Sequence, residues 1–316
     1  MKIVILDALT LGRDIDLSRF SELGEVEIYP TSTHEEIIER TSDCEVVITN
    51  KLKLNESNLY SAKELKLICV TATGFDNIDV EYAKSRGIGV CNVVGYSTNN
   101  VAQITVGMAL DLINRTFEYR ESVASGAYSA GGVANILSPT YHEIEEKTWG
   151  IIGFGNIGKR VAKVADALGC RVLVNKRVPT DEFECVDIET ICKECDIISI
   201  HTPLNDGTRA LINAERIALM RDGVILVNVA RGAVTDERAV AEAVKSGKIG
   251  GFGCDVYSAE PFGLEHPFYE IKGYPNVILT PHMAWGSFEA RDRLCDEVKE
   301  NIIAFYSGKI RNRIDI

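Results

Sequence analysis

No apolar run in the chain approaches the roughly 18 residues that a membrane-spanning helix needs. The start of the sequence also lacks the long apolar stretch and small-residue cleavage site of a secretory signal. Met1-Lys2-Ile3-Val4-Ile5-Leu6-Asp7 reads instead as a first strand, and a cytoplasmic protein with no membrane partner is expected. Positive charge is scarce: 34 Lys and Arg stand against 46 Asp and Glu, a formal net charge of -12. No basic cluster compensates, so nucleic acid is not expected as a partner. A small anionic substrate must then be held by local cations, not by the overall field. The nine cysteines are scattered and odd in number, which fits reduced thiols. Cys192-Lys-Glu-Cys195 is a C-x-x-C with Cys185 nearby, but no second pair or histidine stands at zinc spacing, and no metal is expected. Low-complexity segments and short repeats are absent.

A length of 316 residues suggests two domains. The central motif is Gly153-Phe154-Gly155-Asn156-Ile157-Gly158, a G-x-G-x-x-G. Trp149-Gly150-Ile151-Ile152 before it reads as a buried strand. Residues 159–168 after it read as a helix with Val161, Val164, Ala165 and Leu168 on one face. Strand, glycine turn and helix form the context of a dinucleotide site: a tight turn, a close backbone approach to pyrophosphate, and close helix–strand packing. The helix N-terminus offers N–H groups to the anion.

Strand-like runs at 2–7, 25–29, 45–49, 67–70 and 89–91 alternate with helical stretches in the first hundred residues. One long helix is expected over about 99–125, then a loop from Gly126. After the fingerprint, strands are expected at 171–174, 196–201, 224–228, 251–256 and 277–280, with helices between them and a last helix at about 287–307. This predicts an α/β protein of two doubly wound, Rossmann-like domains with parallel sheets and a cleft between them.

Three segments at strand ends carry candidate chemistry, since ligands of open α/β sheets bind there. Arg231-Gly232 follows a buried strand, and a guanidinium there suits a carboxylate or a polarised carbonyl. Asp255 and Glu260 lie at and after a glycine-rich strand. His282 follows another strand and, with His201, is one of two histidines so placed. Reduction of a 2-keto acid needs a hydride donor, a proton donor and a cation. His282 fits the acid, Arg231 the clamp, and Glu260 the carboxylate that orients the imidazole and favours its protonated form.

These residues carry a resemblance. Besides the fingerprint, HTPL (201–204), VNVARGAVTDE (227–237), GCDVYSAEP (253–261) and TPHMA (280–284) resemble the D-isomer-specific 2-hydroxyacid dehydrogenases over nearly the whole chain. The resemblance implies catalytic Arg231, Glu260 and His282. It implies that Asp255 and the Val229-Ala230 backbone hold the nicotinamide carboxamide, with His201-Thr202-Pro203 along the cofactor. It implies a discontinuous substrate domain, 1–98 and 287–316, with a cofactor domain, 99–286, inserted into it. It also implies a homodimer formed through residues around 100–140. Asn50-Lys51, ATGFDN (72–77), GYST (95–98) and HMAWGSFEAR (282–291) look like glycerate dehydrogenase/hydroxypyruvate reductase members. By that resemblance the Thr73-Gly74 backbone binds the substrate carboxylate; Lys51 adds local positive charge, and Trp285, Tyr96 and Phe75 are candidates to shape the pocket.

In an NAD-specific site an acid about 20 residues past the glycines binds the ribose 2′-hydroxyl. Here the strand runs into Asn175-Lys176-Arg177, with no acid and two cations. NAD(P)H is therefore expected as cofactor, with a lean to NADPH. Two other readings stay open. One is another D-2-hydroxyacid dehydrogenase, of lactate type or of a short phosphoglycerate type, the chain ending just after its last helix. The other is a non-catalytic dinucleotide-sensing protein on the same fold.

Overall fold

A computed structural model describes residues 1–316. The chain divides into two compact units, Met1–Ser97 with Gly286–Ile316, and Thr98–Trp285.

In the first unit, short runs of Val, Ile and Leu form β1 (Lys2–Ile5), β2 (Glu25–Ile28), β3 (Val46–Thr49), β4 (Leu67–Val70) and β5 (Gly89–Cys91). All pair in parallel in the order β2-β1-β3-β4-β5. The crossovers carry α1 (His34–Arg40), α2 (Glu56–Leu59) and α3 (Val80–Ser85). Thr33 and Glu36 close a capping box at α1, and Asn55 and Asp79 cap α2 and α3. Every residue of β3 and β4 is buried, as expected of central strands covered on both faces.

The second unit begins with α4 (Thr98–Ile113), α5 (Thr116–Ala124) and the single turn α6 (Ala127–Ala130). The one long helix expected over 99–125 is thus two helices. Arg115 between them takes a left-handed φ of 53°, and α5 buries none of its residues, so no core contact carries the helix on in line. Then follow β6 (Thr148–Ile152), α7 (Asn156–Ala167), β7 (Arg171–Asn175), β8 (Glu184–Cys185), α8 (Ile188–Glu194), β9 (Ile197–Ile200), α9 (Ala214–Leu219), β10 (Val224–Asn228), α10 (Glu237–Lys245), β11 (Ile249–Cys254) and β12 (Val277–Leu279). The sheet is parallel throughout, in the order β12-β11-β10-β9-β6-β7-β8. The last helix, α11 (Phe288–Tyr306), returns to the first unit and packs on β4. The fold class is therefore two parallel-sheet, Rossmann-like α/β domains.

Glycines in β11 explain how α4 lies so close to it. A Cβ at Gly251 would stand 3.1 Å from Leu112 Cβ, and one at Gly253 3.1 Å from Met108. Buried Leu112 and Met108 fill that space, each worth about 1.5–3 kcal/mol by burial. The core clusters on the two faces of this sheet fix where its strands end, and so where the loops beyond them stand.

Candidate active site

β10, β11 and β12 are parallel neighbours, so the segments beyond their ends share one edge of the sheet. Arg231, Glu260 and His282 follow those three strands in turn.

Each segment is shaped by its own residues. Buried Asn228 accepts from the Ala230 N–H at 3.0 Å and donates to the Arg231 carbonyl at 3.0 Å, bending the backbone that presents Arg231. Gly232 comes next because nothing larger fits. A Cβ there would stand 2.1 Å from the Tyr257 carbonyl carbon and 2.2 Å from the Ser258 nitrogen. Glu260 Oε1 accepts from the Tyr257 N–H at 2.9 Å, and Oε2 lies 2.6 Å from Nδ1 of His282. The Tyr257 hydroxyl donates to the Thr280 carbonyl at 2.8 Å and ties this turn to the strand end before His282.

His282 has a left-handed φ of 52°, which costs a side chain with a Cβ roughly 1–2 kcal/mol. Asp255 holds it there. Its Oδ1 accepts from the Thr280 hydroxyl at 2.5 Å and the Met283 N–H at 2.8 Å, and its Oδ2 from the Ala284 N–H at 2.9 Å. Asp255 is only 1% exposed; burial raises its carboxyl above the ordinary value, against the pull of these hydrogen bonds. Sequence reasoning assigned Asp255 to the cofactor alone. Its visible work is to fold the His282 turn. With Nδ1 turned to a carboxylate, the other ring nitrogen of His282, Nε2, is the one suited to proton exchange with a ligand.

The fingerprint has the shape a pyrophosphate requires. Gly153 has φ +96°, and a Cβ there would meet the His201 carbonyl and the Thr202 nitrogen within 2.8 Å. A Cβ on Gly158 would lie 2.1 Å from the Gly153 oxygen. Those two glycines are explained by the protein itself. Gly155 is not: a Cβ there would meet no atom within 4 Å, and its backbone is extended, open to any residue. Gly155 is also the N-cap of α7 and supplies no side chain to the helix N–H groups. Both features suit the close approach of an anion. Helix α7 starts at Asn156, within the fingerprint, rather than after it.

At the tip of β7, Lys176 is half-buried and Arg177 exposed. Asn175 donates its amide to the Val186 carbonyl at 3.0 Å. Lys176 Nζ lies 5.9 Å from the Phe154 ring, which Phe183 meets edge-on at 5.9 Å. Glu182 in this loop binds Lys159 and feels Lys163 and Lys176. That acid reaches the site from a loop and was not apparent from the strand tip.

His201 belongs to a buried relay. Trp149 Nε1 donates to the Ser199 hydroxyl at 3.0 Å, which lies 2.9 Å from His201 Nε2. Burial pushes this imidazole down to about 3. In the first unit, buried Asp7 accepts from the N–H groups of Asn50 and Lys51, and Asn77 donates to the carbonyls of Asn50 and Leu52. These bonds fix the turn that carries Lys51. Thr73 donates to the Val93 carbonyl at 2.7 Å, and its own carbonyl accepts from Asn92 at 2.8 Å. Tyr96 is buried, Phe75 exposed and Trp285 half-buried. All nine cysteines are free thiols, eight of them buried; Cys192 and Cys195 lie in the core under β6 and β9.

Residues 106–284 match the family described as D-isomer specific 2-hydroxyacid dehydrogenase, NAD binding domain. The chain belongs to this family. Across 315 residues, 99% of either chain, it is 38% identical to a glycerate dehydrogenase of Methylorubrum extorquens. It is 32% identical, over the whole of both chains, to a hydroxypyruvate reductase of Blautia hydrogenotrophica. Among solved structures, a D-lactate dehydrogenase from Aquifex aeolicus complexed with NAD and lactic acid superposes with a TM-score of 0.88, at 30% identity over 100% of this chain and 99% of that one. This dehydrogenase is accordingly an oxidoreductase of 2-hydroxy acids and their keto acids that uses a nicotinamide dinucleotide. No helix in it is long and apolar enough to cross a membrane.

Proposed function

We propose that the protein reduces a small 2-keto acid of the hydroxypyruvate or glyoxylate type to the D-2-hydroxy acid, and catalyses the reverse, with Arg231, Glu260 and His282 as its catalytic set. The observation that carries this reading is the 2.6 Å contact of Glu260 with Nδ1 of His282 on the strand edge that also presents Arg231. The names of the glycerate dehydrogenase and hydroxypyruvate reductase relatives support the substrate class.

Arg231 pairs with the substrate carboxylate and polarises the keto group. His282 donates the proton on Nε2 to the keto oxygen, and Glu260 stabilises the cationic imidazole before transfer. A bound reduced nicotinamide supplies the hydride. Gly153, Gly155, Asn156, Ile157 and Gly158 cradle the pyrophosphate. His201-Thr202-Pro203 flanks the dinucleotide, and the Val229-Ala230 backbone with Asp255 takes the carboxamide. Asn175, Lys176 and Arg177 receive the adenosine ribose, and the missing acid at this tip favours NADPH.

In the unit made of Met1–Ser97 and Gly286–Ile316, the Thr73-Gly74 backbone and Lys51 are assigned to the substrate carboxylate. That unit is the substrate-binding domain, and Thr98–Trp285 the cofactor-binding domain. The protein acts in the cytoplasm as a homodimer. Phe117, Val123, Val133, Leu137 and Tyr141, all at least half exposed, support burial of this segment against a second copy.

Hydroxypyruvate, glyoxylate, pyruvate and phosphohydroxypyruvate, each assayed with NADH and NADPH, test the reading. Turnover of hydroxypyruvate or glyoxylate above the others is expected. A preference for pyruvate or the phosphorylated acid would move the protein to another branch. No turnover of any of them, with cofactor binding intact, would leave a dinucleotide-sensing role.

A further inference from the structure

Glu237 and His266 take no part in the chemistry above, yet they form a buried acid–imidazole contact next to it. Each residue is 9% exposed. His266 Nε2 lies 3.0 Å from Glu237 Oε2, out of line for a regular hydrogen bond. The Phe268 N–H donates to His266 Nδ1 at 3.2 Å, so the neutral ring carries its proton on Nε2, facing the carboxylate. Tyr257, Phe262 and Phe268 pack round the imidazole with ring centroids 4.9–6.0 Å away.

A carboxylate so buried must accept several hydrogen bonds to offset its lost hydration. Glu237 does so from one residue of the catalytic turn. Its Oε1 accepts from the Ser258 N–H at 2.8 Å and its Oε2 from the Ser258 hydroxyl. The peptide that ends at Ser258 is the one pressed against Gly232, beside Arg231. The residue before it, Tyr257, donates its N–H to Glu260. Gly232 and Glu237 thus grip one peptide from two sides, and that peptide sets where Glu260 stands.

We propose that Glu237, backed by His266, is a positioning residue for the Glu260–His282 pair: it fixes the Tyr257–Ser258 peptide and so delivers the Glu260 carboxylate to Nδ1 of His282. A helix N-terminal acid needs none of this, because its favourable interaction with the helix dipole requires neither burial nor a serine partner. The assignment rests on the acid–base role proposed for Glu260 and His282. The charged and titratable groups facing His282 include Glu260 and Asp255, with the Tyr257 phenol behind them.

The test is a double-mutant cycle of Glu237→Gln with Glu260→Gln, read as the pH profile of kcat/KM for keto-acid reduction. In the wild-type background, Glu237→Gln is expected to move the alkaline limb to lower pH by about half a unit or more, since misplacing an adjacent carboxylate weakens its hold on the imidazolium. The Kd of NADH is expected to stay within about twofold, because no cofactor contact is touched. In the Glu260→Gln background the same change should do nothing further to the profile. Ser258→Ala, at an exposed residue, should shift the limb the same way by less. An unmoved limb, or an equal loss in both backgrounds, overturns the proposal; if Glu237→Gln fails to fold, an unmoved limb in Ser258→Ala does so. If the wild type reduces no keto acid, the pH midpoint of the His282 imidazole NMR resonance replaces the rate. A shift in Glu237→Gln then upholds the positioning role while the proposed reaction falls, and no shift overturns both.

Discussion

Nδ1 of His282 and Oε2 of Glu260 meet at 2.6 Å although the two residues follow different strands, β12 and β11. Three tethers outside the pair make that meeting possible: Asp255 on the Met283 and Ala284 N–H groups, Tyr257 on the Thr280 carbonyl, and the Tyr257 N–H on Glu260. The pair is therefore a product of sheet register and turn structure, set before any ligand arrives. Such preorganisation is what proton transfer to a bound substrate needs.

Replacing either partner should separate their roles. His282→Ala removes the proposed proton donor, and kcat should fall by about 10²–10⁴-fold with dinucleotide affinity retained. Glu260→Gln keeps the shape and loses the charge. Its kcat/KM for reduction should fall most on the alkaline side, because the imidazolium loses its counter-ion. Steady-state rates from pH 5 to 9 check this. Equal losses at every pH would remove the electrostatic role of Glu260.

Gly155 and Gly158 should differ sharply when changed to alanine. The new Cβ at 158 would collide with the Gly153 oxygen at 2.1 Å, so Gly158→Ala should destabilise the unit by several kcal/mol, about the cost of a severe overpacking change. The Cβ at 155 enters open space on an extended backbone. Gly155→Ala should melt within a degree or two of wild type while dinucleotide Kd rises at least about tenfold, roughly 1.4 kcal/mol. Unchanged cofactor affinity in Gly155→Ala would mean that the pyrophosphate does not approach there.

The tip of β7 makes a prediction about cofactor choice. Lys176→Ala with Arg177→Ala should lower kcat/KM for NADPH by about 10–100-fold and leave NADH within a few-fold, since two cations on one phosphate are worth roughly 1.5–3 kcal/mol. Glu182 offsets part of this field, and Glu182→Gln should shift the preference further towards NADPH. A strong NADH preference that the double substitution leaves untouched would sink the assignment.

The parts legible in the sequence were those set by local pattern. Buried runs such as Val46–Thr49 and Val224–Asn228 lie where the strand patterns put them. Gly153 and Gly158 could be read too, because tight turns and close packing are local demands. What escaped depends on distant chain. The break at Arg115 goes with an α5 that buries none of its residues, which no window of residues reports. The Asp255 bonds to residues 280–284 and the Glu237 grip on Ser258 join segments more than 20 positions apart. Glu237 stood within a motif already noted, but nothing local separates a buried clamp from an ordinary first-turn acid.

His201 predicts how the protein responds to acid. Its residue is half-buried, yet its Nδ1 is shut off from water and without a protein partner, and Trp149 acting through Ser199 leaves the serine hydrogen for Nε2. The ring is therefore held neutral, and burial lowers its pKa from 6.5 to about 3. The sign follows. Between those values the unfolded chain binds a proton at this histidine and the native state does not, so stability is lost as pH falls below about 6.5. The loss approaches 1.4 kcal/mol per pH unit while the difference of one proton persists. His201→Gln should be less stable than wild type at pH 8, having lost the fitted ring. The gap should narrow by about 1–2 kcal/mol between pH 7 and pH 5, because the variant has no such proton to take up. Urea unfolding at half-unit pH steps measures this directly, and parallel curves for the two proteins would show that His201 is protonated in the native state after all.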